Sequence, residues 1–140
     1  VEGYVRSRME RQKILEETGG PQLWEIVHEA ALRVPVGGPE VMRGQLARLH
    51  QMVTARQVVV QVHPFASGPH TFMMGVVSLM TFTDSPPVAY MEGPHTGQLV
   101  EEPALVERCR ASYDLARAAA LPPEASLAVI GSVAEDFANS

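Results

Sequence analysis

The residues of this 140-residue chain with most to offer chemically are five histidines, His28, His50, His63, His70 and His95. Three of them fall in or beside loops at strand ends, which raises the question of a metal centre. No pair has the His-x-x-x-His spacing that sets two imidazoles on one helix face, and a lone Cys109 supplies no thiolate cluster. The expectation is therefore no metal and no cofactor, with His63 closing a strand edge and His50 exposed on its helix. Hydrolytic chemistry is poorly served too. Ser67-Gly68 and Ser85 lack the Gly-x-Ser-x-Gly elbow, and His28 and Glu29 are chain neighbours, which point to opposite faces of a strand. Gly37-Gly38 and Gly93 with Gly97 match neither phosphate-binding glycine pattern. If the chain is an enzyme, His63, His70, Glu92 and His95 are the acid–base groups it has to work with.

Sulfur and aromatic side chains form the denser signal. Phe65, Phe72, Met73, Met74, Met80 and Phe82 gather around one hairpin whose loop, Ala66 to His70, carries Gly68 and Pro69. Methionine and phenylalanine make adaptable apolar pockets, so Phe65, His70, Phe72, Met73, Met80 and Phe82 are the candidate site for a small-molecule ligand or a partner protein. The competing reading is that the same side chains fill a core built from short strands. Cys109 shares a helical stripe with Val106 and Tyr113, where a thiol behaves as a small buried hydrophobe.

Around these residues the chain punctuates itself with glycine and proline. A first helix spans Val1 to about Thr18, with four arginine or lysine residues balanced by four glutamates, the look of a solvated face laced by local ion pairs. Leu23 to Leu32 reads as a short strand running into a helical turn. Gly38 then caps, and Pro39 opens, an amphipathic helix to about Ala55 with Met42, Gln45, Leu46, Leu49 and Met52 or Val53 on one stripe. Gln57 to Phe65, Met73 to Thr83, Val88 to Glu92 and Gln98 to Val100 read as four consecutive strands of an antiparallel meander. Glu101-Glu102-Pro103 starts a long helix, Leu121-Pro122-Pro123 breaks it, and a last helix buries Leu127, Ile130, Ala134 and Phe137. The sum is one α+β domain over 1–140, a small antiparallel sheet covered by helices, two of them C-terminal.

Composition bounds the role. No stretch approaches the roughly 18 apolar residues of a spanning helix, and the first residues are too charged for a signal peptide, which points to the cytoplasm and away from membranes. A net charge of −5 gives no general field for phosphates, and Glu101 to Ser140 carries seven acids against three arginines. Ten arginines against one lysine, Lys13, reflect a biased, high-GC composition more than a binding surface.

The run His28-Glu29-Ala30-Ala31-Leu32-Arg33, then Val36-Gly37-Gly38-Pro39-Glu40-Val41-Met42-Arg43, then Val60-Gln61-Val62-His63-Pro64-Phe65, is similar to a domain of unknown function found in actinobacterial helix-turn-helix regulators. Val88-Ala89-Tyr90-Met91-Glu92-Gly93, Tyr113 to Leu121 and Glu124 to Ile130 resemble it in the same order, as does Arg8 to Gln12, so the likeness covers nearly the whole chain. It implies the C-terminal domain of an Scr-family, antitoxin-like regulator in which an Xre-type helix-turn-helix, outside this chain, binds DNA. A small partner protein and a homodimer are implied with it, and the family brings no catalytic residues. The expected function is a regulatory domain that dimerises, senses a ligand or holds a partner. The alternative is a free-standing enzyme of specialised metabolism.

Overall fold

Glycine and proline do break the chain where expected, and the pieces between them are helices and strands of ordinary length. In the computed structural model, which describes all residues except Val1, Glu16, Thr18, Met74 and Ser140, these are α1 (Glu2–Gln12), β1 (Leu23–His28), α2 (Glu29–Arg33), α3 (Pro39–Thr54), β2 (Val58–His63), β3 (Val76–Met80), β4 (Val88–Glu92), β5 (Gly97–Val100), α4 (Pro103–Ala119) and α5 (Pro123–Ala138). Single 3-10 turns lie at Lys13–Leu15 and Phe65–Ser67. The class is α+β, with the two C-terminal helices in place. Two compact units divide the chain, Val1–Val62 with Leu121–Ser140, and His63–Ala120.

In the first unit the core forms where α3 and α5 meet β2. Leu32, Leu46, Val58, Val60, Val62, Ile130 and Val133 are buried together, each fully buried aliphatic contributing roughly 1.5–3 kcal/mol. Gly38 does cap α3 with Pro39 behind it, its φ of 95° being open to glycine alone at low cost. Met42 and Leu46 are the buried residues of the α3 stripe, whereas Gln45 is exposed. His50 is half-buried and not exposed, its ring lying beside Gly131 on α5. His28 is also spent locally: its Nδ1 accepts the Ala30 amide N–H at 3.2 Å and caps α2. In α1 nothing is buried, and no ion pair among the described residues involves it; Val1, Glu16 and Thr18 of the expected helix lie outside the described residues.

The main departure concerns β2. The sequence pattern puts it at the start of the meander, but β2 pairs instead with β1 in a separate two-stranded parallel sheet, so the antiparallel meander has three strands, β3-β4-β5. Both faces of β2 are covered, as a valine run leads one to expect. What the run conceals is a polar network along its far edge. Val62 accepts the Leu121 amide N–H at 2.9 Å and donates its own to Ser126 Oγ at 2.9 Å. Ser126 Oγ in turn donates to Leu121 O, which also accepts Gln61 Nε2 at 2.8 Å, and Trp24 Nε1 donates to Gln61 Oε1 at 2.9 Å.

Ser126 is completely buried, so removing its hydroxyl strands the Val62 N–H away from water. Ser126→Ala is expected to lower stability by about 1–3 kcal/mol in urea denaturation with an unchanged m-value. An unaltered midpoint would show that the bond is not needed.

Candidate functional site

The chemistry-bearing residues collect in the unit 63–120, and β3, β4, β5 and α4 place them. Strand register sets the face that α4 covers. Leu79, Ala89 and Val100 lie in one row across the three strands, and Val77, Met91 and Gln98 in the next. Ala89 and Val100 are buried with Val106 of α4, and Leu79, Met91 and Cys109 pack around them. The small Ala89 lets the helix close over the first row. The second row stays open and floors a cavity of about 600 Å3.

The α4 wall of that cavity is Leu105, Arg108, Cys109 and Ser112, a single face at helical spacing. Phe72 and Thr71 close it from the loop before β3, Glu92 from the end of β4, and Thr96 from the turn between β4 and β5. Two glycines permit the fit. A Cβ on Gly75 would meet the Glu92 carbonyl oxygen at 2.7 Å, and one on Gly97 would strike the Tyr90 hydroxyl.

A smaller cavity of about 290 Å3 is bounded by His63, Ser67, His70 and the C-terminal half of α4, and it shares Thr71 and Ser112 with the larger one. Its loop is pinned: Ser67 Oγ donates to Ala119 O at 2.7 Å, and Gly68, at φ 74°, turns the chain back with its N–H on Phe65 O. His63 is buried, and its ring lies 4.5 Å from that of His70, tilted by 51°.

Ring nitrogens of these two histidines come within 4.8 Å of each other, close enough for two imidazoles to share an ion. The protons argue against it. A metal-bound imidazole donates its other N–H, whereas His70 Nδ1 accepts the Phe72 amide N–H at 3.2 Å, which puts the proton of neutral His70 on Nε2.

Of the residues proposed from sequence for a pocket, Phe72 lines the larger cavity and His70 the smaller. Met80 is half-buried in β3, while Phe65, Met73 and Phe82 are each more than half exposed and line neither cavity. The acid–base set is divided: His63 and His70 border one cavity, Glu92 the other, and His95 is exposed outside both. Among the described residues, no carboxylate borders the cavity that holds the two histidines.

Sequence reasoning overlooks the α4 wall, above all Arg108. Three arginines lie on α4. Arg110 pairs with Glu107 at 3.4 Å, and Arg117 with Asp114 at 3.2 Å while its guanidinium also lies over the Tyr113 ring. Arg108 has no ion pair among the described residues and borders the cavity, as does the equally unpaired Glu92.

Cys109 is half-buried and forms part of the cavity wall. A bulky thiol reagent should therefore label the native protein on the order of tenfold more slowly than the chain in urea. Equal rates in both conditions would place the thiol outside the packed face.

No curated protein and no solved structure was found to match the chain. A family match is present over residues 1–132, to the Domain of unknown function (DUF5753). The chain, by a match that runs from α1 into α5, belongs to that family.

Proposed function

We propose that the chain acts as a single regulatory module, the ligand-sensing effector domain of a transcriptional regulator whose helix-turn-helix lies outside it, and that the larger cavity is the sensor site. The observation that carries this reading is the open row Val77, Met91 and Gln98. A sheet face and a helix that meet over one row and part over the next leave about 600 Å3 whose lining mixes apolar side chains such as Phe72, Val77, Met91 and Leu105 with polar ones, Gln98 among them in the open row itself. Small-molecule sites have that size and that mixture. The net charge of −5 supports leaving DNA contact to another domain.

The reading as an acid–base enzyme has less to draw on, since its candidate groups are divided between two cavities. A partner protein or a second copy has a surface to draw on. The outer face of the three-stranded sheet carries Tyr90 and Leu99, both exposed.

The neutral fluorophore N-phenylnaphthylamine tests the sensor site directly. Its emission should rise and saturate at one probe per native chain, fall when Cys109 is first alkylated with a bulky group, and weaken in Phe72→Ala, a variant that should stay folded. Met73→Ala, which alters an exposed side chain, should bind as the parent does. Emission no higher than in buffer, or indifferent to both changes, would sink the proposal. In a mobility-shift assay the chain alone should give no salt-sensitive complex with duplex DNA.

A further inference from the structure

We infer that the larger cavity takes an anionic amphiphile, an apolar body carrying one carboxylate, with Arg108 as the residue that holds the head group; this rests on the cavity being the ligand site. Arginines on an exposed helix ordinarily find a carboxylate three or four residues away. Arg110 and Arg117 do so on α4, each satisfied by an acid at i−3. The positions three and four residues from Arg108 are Leu105, Ala104, Ala111 and Ser112, none of them acidic. The one α4 guanidinium without a helical counter-ion is thus the one that borders the cavity.

Its position suits a head group. Arg108 is exposed, so the charge stays hydrated when the site is empty, while its helix neighbours Leu105 and Cys109 continue into the apolar lining. A ligand entering tail first covers Phe72, Val77 and Met91 and leaves its carboxylate level with the guanidinium, which can bind both oxygens at once. Glu92, also on the lining, is the group that an anion must avoid. It forms no ion pair with Arg108, so the guanidinium is not already neutralised from across the lining. A single carboxylate is thus accepted at the α4 wall.

Three probes of one chain length separate the possibilities: decanoate, decanol and decylamine, each competing with N-phenylnaphthylamine on the full chain. Decanoate should displace the fluorophore at roughly tenfold lower concentration than decanol, and decylamine should be no better than decanol. Arg108→Gln should bring decanoate down to the level of decanol and leave decanol unchanged, whereas Arg110→Gln, which removes a guanidinium already engaged by Glu107, should preserve the tenfold preference. Raising the salt concentration should narrow the gap in the parent and do nothing in Arg108→Gln. Equal displacement by decanoate and decanol in the parent, a preference for decylamine, or a preference for decanoate that survives Arg108→Gln would each overturn the assignment while leaving the cavity a ligand site. Displacement by none of the three, together with no binding of the fluorophore, would overturn both. Circular dichroism of the two arginine variants, both altered at side chains outside the core, verifies that a lost preference is not lost folding.

Discussion

A buried strand with a neighbour on only one side has an unmet set of backbone donors and acceptors on the other, and this constraint governs how the chain is assembled. β2 is paired with β1 alone, yet its residues from Val60 to His63 are buried. Leaving a buried peptide group unpaired costs about 1–3 kcal/mol. The remedy is the short extended break between α4 and α5. The Leu121 N–H meets the Val62 carbonyl and Ser126 Oγ, one turn into α5, meets the Val62 N–H, while the Leu121 carbonyl accepts from the Ser126 hydroxyl and the Gln61 amide. Gln61 and Trp24 extend the network to β1. Because Val62 and Leu121 are bonded to each other, the segment between them starts and ends at one point. That closed segment, 63–120, contains both cavities.

Much of this architecture is legible in the sequence because it rests on local rules. Gly38-Pro39 announces α3, Glu101-Glu102-Pro103 announces α4, Gly19-Gly20 falls between elements, and Leu121-Pro122-Pro123 parts α4 from α5, which Pro123 opens. What resists reading is the partner of β2. A run such as Val58 to Val62 says that both faces are covered, but valine packs equally well against a parallel or an antiparallel neighbour. Its actual partner, β1, mixes Trp24 and Glu25 with Ile26 and Val27, a pattern that announces no buried strand. Ser126 is harder still. It lies in α5 beside Leu127 and Ile130, and only the unmet N–H of Val62, sixty-four positions earlier, explains why a hydroxyl should occupy a fully buried position there.

The candidate site divides along the same line. Composition alone points to Phe72 and His70 because they belong to the loop that closes both cavities. The same composition draws in Phe65, Met73 and Phe82, but they stand outside, since β3 begins only at Val76 and ends at Met80. The other wall comes from α4, some thirty residues downstream, and no local count of aromatic residues reaches it. A different signal does. Marking each arginine of a helix by whether an acid lies three or four positions away separates Arg108 from Arg110 and Arg117 by residue spacing alone.

That distinction matters in a chain whose arginines outnumber its lysines ten to one, because the bias strips the residue type of meaning. Partners restore it. Arg33 is held by Glu29 and Asp136, Arg48 by Gln51, and Arg11 by the Ser7 carbonyl. Arg6, Arg8, Arg43 and Arg56 have no ion pair among the described residues, yet border neither cavity, and a hydrated surface guanidinium in that position has no reason to be anything else. Among the arginines, Arg108 alone combines an unmet charge with a partly apolar cavity at its side. A charge next to a desolvated surface is the arrangement that discriminates between ligands, since the apolar part rewards any tail of suitable size and the charge then ranks the heads. The cavity supplies affinity without selectivity, and the guanidinium supplies selectivity at little cost in desolvation, because it is exposed until a ligand arrives.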